Sequence, residues 1–109
     1  MVVKVVLLYP LPPVAERFDE MLTAEHVPNH LATIPGLTRC VLSKVLWSLG
    51  KESPFYSMAE LYFPTLETVQ STLTACVAHE ILDHAASISE SEAVLAIVCM
   101  EEIVSLSKP

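Results

Sequence analysis

Two histidines set four residues apart, His26 and His30, lie in the segment Ala24-Glu25-His26-Val27-Pro28-Asn29-His30-Leu31-Ala32, which closes on Ile34-Pro35-Gly36. An imidazole exchanges a proton near neutral pH, so His26 is the candidate acid, base or hydrogen-bond donor to a ligand. Phe18, Leu22 and His26 fall at i, i+4 and i+8, which puts the ring on the same inward stripe as two large apolar side chains. Pro28 has no N–H to give the carbonyl of Ala24 and its ring presses on that turn, so the helix is expected to kink or end just beyond His26 and open room beside it. The competing reading is a satisfied core histidine with no chemistry. His26 and His30 have the spacing of a metal pair, but the expected kink separates them and no acidic or cysteine ligand is placed to complete a set, so no metal is expected.

The other constellations are weaker. His79-Glu80-Ile81-Leu82-Asp83-His84 looks like a zinc-hydrolase helix, yet its histidines lie at i and i+5, about 140° apart around the axis, and read as a solvated helix face. Tyr9 and Trp47 end their strands, where aromatic rings commonly line a pocket mouth. With Leu22, His30 and Tyr56 they make up the expected substrate-binding set around His26. Glu60 lies mid-strand, with a structural role as the first expectation. Gly36 and Gly50 are the only glycines, so no loop cradles a phosphate, and no cofactor is expected. Cys40, Cys76 and Cys99, odd in number and widely spaced, read as reduced core thiols of a cytoplasmic protein.

The elements that must position these residues follow from periodicity. Val2 to Tyr9 is β-branched and apolar at nearly every position, the composition of a strand buried on both faces. Pro12 and Pro13 suit the opening of a first helix, Val14 to Ala32. Leu37 to Trp47 reads as a second strand and Ser48 to Pro54 as a polar loop. Phe55 to Phe63 alternates, with Phe55, Ser57, Ala59, Leu61 and Phe63 on one face and Tyr56, Met58, Glu60 and Tyr62 on the other. Thr65 can cap a second helix whose inward positions are Leu66, Val69, Leu73, Cys76 and Val77. A further helical piece, His79 to Ile88, precedes a last strand, Glu92 to Met100, apolar on both sides.

Strand, helix, strand, strand, helix, strand is the ferredoxin-like βαββαβ order: an α+β fold in which both helices cover one face of a four-stranded antiparallel sheet. The 109 residues suffice for one domain, residues 1–109, and 52% of them are hydrophobic at a mean hydropathy of +0.50. Two helices leave one sheet face bare, so a second copy packing sheet to sheet is expected, giving a homodimer with a barrel-like core. Net charge is −7, with six basic residues scattered singly, which argues against nucleic acid as a partner. Charged residues interrupt every apolar run before a membrane-spanning length, and Tyr9-Pro10-Leu11-Pro12-Pro13 ends the first run without a signal-peptide cleavage site; neither membrane partner nor leader is expected.

Taken together, Lys4-Val5-Val6-Leu7-Leu8-Tyr9-Pro10, Phe18-Asp19 leading to His26-Val27-Pro28, Ile34-Pro35-Gly36-Leu37 and Ala59-Glu60-Leu61-Tyr62-Phe63 resemble the EthD family, named for bacterial ethyl tert-butyl ether degradation and placed in the dimeric α+β barrel superfamily. The likeness covers nearly the whole chain, and its most specific part runs from Phe18 to Leu37. It implies the ferredoxin-like fold, a homodimer, and transfer of the family histidine onto His26. It also implies chemistry of the kind found in the superfamily, namely cofactor-independent monooxygenases, isomerases and dehydratases acting on small hydrophobic compounds. Where the family often carries tyrosines ahead of that histidine, this chain has Met21 and Leu22. That departure keeps a second reading open, a non-catalytic small-ligand-binding or accessory protein of an oxygenase or degradation pathway.

Overall fold

β1 (Val2–Pro10) owes its central place to its run of β-branched residues: it pairs antiparallel with β3 (Phe55–Phe63) on one side and with β4 (Leu95–Glu101) on the other. β2 (Arg39–Lys44) adds to the free edge of β3, giving the order β2-β3-β1-β4. The computed structural model describes residues 2–107. Three helical stretches connect the strands: α1 (Ala15–Met21) with a wider π-helical extension (Leu22–Leu31), α2 (Leu66–Thr72) and α3 (Ala75–Ser89). This is the ferredoxin-like α+β architecture.

Val3, Val5, Leu7 and Tyr9 alternate onto one sheet face beside Ala59, Leu61 and Phe63, and pack with Phe18, Leu22, Val69, Ile81, Ala85 and Ile88 of the helices. The core therefore lies between that face and the helices, as the period of two and the period near four require. The other face carries Glu60, whose Oε2 accepts from Lys4 Nζ at 2.6 Å, with Glu101 Oε2 3.4 Å from the same nitrogen. Both faces of β4 stand exposed in the single chain: Ile97, opposite Val6 on the bare face, is 44% exposed, and Val98, opposite Val5 on the helix side, is 54% exposed because the helices pack over β1 and β3 and do not cover this edge strand.

Several boundaries move for physical reasons. The first helix spans nearly the expected range, to Leu31, but passes Pro28 in a wider register, whose Ala32 N–H reaches the carbonyl of Val27 at 2.7 Å, five residues back. That widening takes the carbonyl four residues back out of the path of the proline ring. The expected second helix splits at Leu73 and Thr74, with Thr65 capping α2 through the Thr68 N–H and Thr74 capping α3 through the Val77 N–H. Cys76 thus falls in the first turn of α3, where it is exposed, and Cys40 and Cys99 are half-buried, so none of the three is a fully buried core thiol. β2 starts at Arg39 and ends at Lys44, short of Leu37 and Trp47, and β4 starts at Leu95.

Gly36 follows Pro35 in a turn closed by the Leu37 N–H on the carbonyl of Ile34 at 3.3 Å, and its φ of +84° is the left-handed value that this turn requires. A Cβ there would also strike the Thr68 methyl of α2. Gly36→Ala is expected to cost about 1–3 kcal/mol in denaturant unfolding, and a variant as stable as the wild type would show that the turn can refit.

Candidate functional site

Phe18, Leu22 and His26 do share the inward stripe, and all three are buried. Leu31 joins them at nine residues from Leu22, about two and a half turns of an ordinary α-helix and so its opposite side; the wider register brings it back onto the same face. The imidazole of His26 is fully buried, yet both of its nitrogens have partners. Nε2 lies 2.9 Å from the hydroxyl of Tyr9 on β1, and Nδ1 lies 2.8 Å from Nδ1 of His84 on α3. Tyr9 and Phe18 meet edge to face at 5.5 Å, and Tyr9 and His26 at 5.6 Å, which fixes the rings.

Proton positions follow from donor accounting. Burial pushes the Tyr9 phenol far above its ordinary pKa, so it keeps its proton. Its one hydrogen-bond partner among the described residues is His26 Nε2, which must therefore accept. His26 then carries its own proton on Nδ1 and donates it to His84 Nδ1, which leaves the proton of His84 on Nε2. Among the described residues no buried side-chain nitrogen or oxygen lacks a partner, and His84 Nε2 has none, so this atom reaches water. The result is a line of donors running Tyr9 to His26 to His84 and ending at the surface.

The electrostatics match. His26 is pulled down from the ordinary histidine value of 6.5 to about 3, first by burial and then by the facing His84 and His30. His84 is also lowered, by burial and then by His30, with Glu25 acting in the opposite sense. His30 stacks on His84 with ring centres 3.9 Å apart and lies 6.1 Å from His26. Three imidazoles thus gather where the sequence suggested two. Their planes lie within 18° to 29° of parallel, and no group of three His, Cys, Asp or Glu among the described residues is arranged to hold a metal ion.

The expected ligand set divides. Tyr9, Leu22 and His30 surround or support His26, but Trp47 and Tyr56 do not join them. Trp47 is 73% exposed beyond the end of β2, and with Tyr56, Leu11 and Phe55 it lines an open groove of about 310 Å3. Tyr56 was assigned to the face of Glu60 and belongs elsewhere. Tyr9 pairs with Ser57 and Pro10 with Phe55, so Tyr56 is the extra residue of a bulge; its ring meets Phe18 at 5.7 Å and its hydroxyl donates to Asp19 Oδ2 at 2.9 Å. Lys44 Nζ donates to the same oxygen at 3.0 Å. His84 is the residue that sequence reasoning missed. His79 does sit on a solvated face, 3.1 Å from Asp83, but His84 turns in to His26. The signal was present in the spacing, since His84 follows the inward Ile81 by three residues.

No protein-family model and no curated protein matches the chain. Solved structures do. An ethyl tert-butyl ether (EthD) family protein from Bacillus halodurans is 26% identical, with 94% of this chain and 100% of that chain covered at a TM-score of 0.79. A dimeric ferredoxin-like protein of unknown function from Jannaschia sp. CCS1 is 10% identical over 93% of this chain and 100% of its own, with a TM-score of 0.65. SnoaB, a cofactor-independent oxygenase from Streptomyces nogalater, is 12% identical over 94% of this chain and 95% of its own, with a TM-score of 0.62. The last two likenesses speak to the fold alone.

Proposed function

From the premise that this is an EthD-like protein of ferredoxin-like fold, we propose that it works as a homodimer in which each subunit handles a small hydrophobic compound by proton transfer through His26. The observation that carries the reading is the buried line Tyr9 to His26 to His84, because it joins a buried titratable ring to a second histidine that meets water, a connection that satisfying the ring's hydrogen bonds does not by itself require. Tyr9 would present the hydroxyl that meets the compound, His26 would exchange its proton, and Leu22 and His30 would hold the surrounding wall. Leu7, two residues before Tyr9 on the same sheet face, borders an apolar slot of about 40 Å3 with Leu61, Ile81, Leu82 and Ala96. That slot has room for one small apolar group, and its purely apolar lining suits an alkyl or aryl end rather than a charged one.

The homodimer is supported by the dimeric neighbour and by the bare sheet face, on which Val2, Leu95 and Ile97 stand exposed around the Lys4–Glu60 pair. Proton transfer, isomerisation, dehydration or oxygenation needs only a positioned, dry site and one titratable group, so the reading requires no metal or flavin. The oxygenase among the fold neighbours supports including dissolved oxygen in any substrate screen.

A second reading is favoured by one specific observation. Both nitrogens of His26 are occupied and its ring is closed off from solvent, as a non-catalytic ligand-binding or accessory protein of an oxygenase or degradation pathway would tolerate. The test is a screen of small aromatic and oxygenated compounds for product formation and oxygen uptake, with wild type and His26→Ala side by side. On the enzymatic reading His26→Ala loses about a hundredfold or more in turnover while sedimenting as the same dimer. Equal turnover in the two proteins overturns it, and thermal stabilisation of both by a ligand that gives no product establishes the binding reading instead.

A further inference from the structure

We infer that His84 is the solvent-side terminus of a proton wire that reaches the buried Tyr9 hydroxyl through His26, and that protons enter and leave the site at His84 Nε2. The inference rests on the reading of His26 as a proton-transfer group and adds the route, which uses a residue on a different helix. Three observations carry it. His26 is shut off from water, so any proton it gains or loses must pass through a partner. Its two partners are Tyr9, itself fully buried, and His84, which is half-buried and has one nitrogen free to meet water. Both links are short, 2.9 Å and 2.8 Å, and donor accounting points every proton of the line the same way, toward the surface.

The step balances. When the compound gives a proton to the Tyr9 oxygen, the phenolic proton moves to His26 Nε2, the Nδ1 proton of His26 moves to His84 Nδ1, and His84 becomes an imidazolium that releases its Nε2 proton to water. The compound keeps the electron pair, and one proton has left the site. Delivery of a proton reverses each transfer. The positive charge passes through His26 without resting there, since burial makes an imidazolium at that ring costly, and comes to rest at the half-exposed His84. The groups facing His84 are His26, His30 and Glu25 of the π-helical segment, and Glu25 favours the transient charge. His30 stacks on the His84 ring and holds its plane nearly parallel to that of His26, at 18°.

The wire can be tested without a substrate, by NMR on protein labelled with 15N at histidine. In the wild type, His26 is expected to show an unprotonated Nε2 and a protonated Nδ1; the opposite tautomer overturns the proposal by itself. Exchange of the Tyr9 hydroxyl proton with water is expected to slow about tenfold or more in His84→Phe, which keeps a ring against His30 but removes the acceptor. In His84→Ala the slow exchange is expected to recover on adding imidazole, which a merely structural role for His84 would not produce. Unchanged exchange in His84→Phe, or no response to imidazole in His84→Ala, overturns the wire. Either failure leaves the turnover comparison of wild type and His26→Ala standing, so the two readings fail separately.

Discussion

Between pH 6.5 and pH 3 the folded chain is expected to lose about 1.4 kcal/mol of stability per pH unit through His26 alone. His26 is neutral and buried in the native state, with its pKa lowered to about 3, whereas in the unfolded chain it titrates near the ordinary value of 6.5. Across that window the unfolded state binds a proton that the native state refuses, so stability falls as the pH falls; above 6.5 both states are neutral and the contribution is constant. A loss of this size over two or three pH units is a large part of the stability of a small domain. His84, lowered in the same direction, adds to the slope below pH 6.5. Denaturant unfolding at several pH values in wild type and His26→Gln gives the comparison, because carboxylates common to both proteins cancel. The difference between the two curves should shrink toward acid, and parallel curves would show that His26 is not held neutral by the fold.

Phe18→Ala is expected to cost about 3–5 kcal/mol, the range for removing a buried phenylalanine. The side chain is almost fully buried, and its ring lies edge to face with Tyr9 at 5.5 Å and with Tyr56 at 5.7 Å. Truncation therefore empties space and also frees two tyrosines, each edge-to-face contact being worth roughly 0.5–1.5 kcal/mol beyond the buried area. The loss of Tyr9 restraint should loosen its bond to His26, so the variant is expected to show broadened Tyr9 and His26 resonances under conditions in which it remains folded. Unfolding within about 1 kcal/mol of the wild type would mean that the neighbouring side chains collapse into the gap, against the close packing of the three rings.

The resemblance to EthD proteins is met by the solved EthD-family structure that covers 94% of the chain. Part of this site was legible beforehand. The stripe Phe18, Leu22, His26 pointed inward by spacing alone, and the alternation in β1 put Tyr9 on the same face as Leu7 and Val5. Trp47, expected at a pocket mouth because it ends its strand, and Tyr56 both lie away from His26, for two different reasons. The end of a strand says nothing about which way the chain leaves it, and past Val45, whose N–H still bonds the Tyr56 carbonyl, Leu46 and Trp47 stand in solvent. At Tyr56 a single extra residue against Tyr9 and Pro10 turned the ring over, and strict alternation could not anticipate a bulge.

What the sequence determined by itself was local: the apolar periods that make four strands and two helical regions, their ferredoxin-like order, the glycine turn at Gly36, and the burial of His26. These depend on neighbours a few residues away, which a linear reading holds in view. Only the tertiary structure decided that the helix passes Pro28 in a wider register, that His30 stacks on His84, and that His26 is bonded to Tyr9 and to His84. The last pair lies 58 residues apart in the chain, and its meeting depends on how two helices pack across the sheet, a geometry that no spacing within either helix contains.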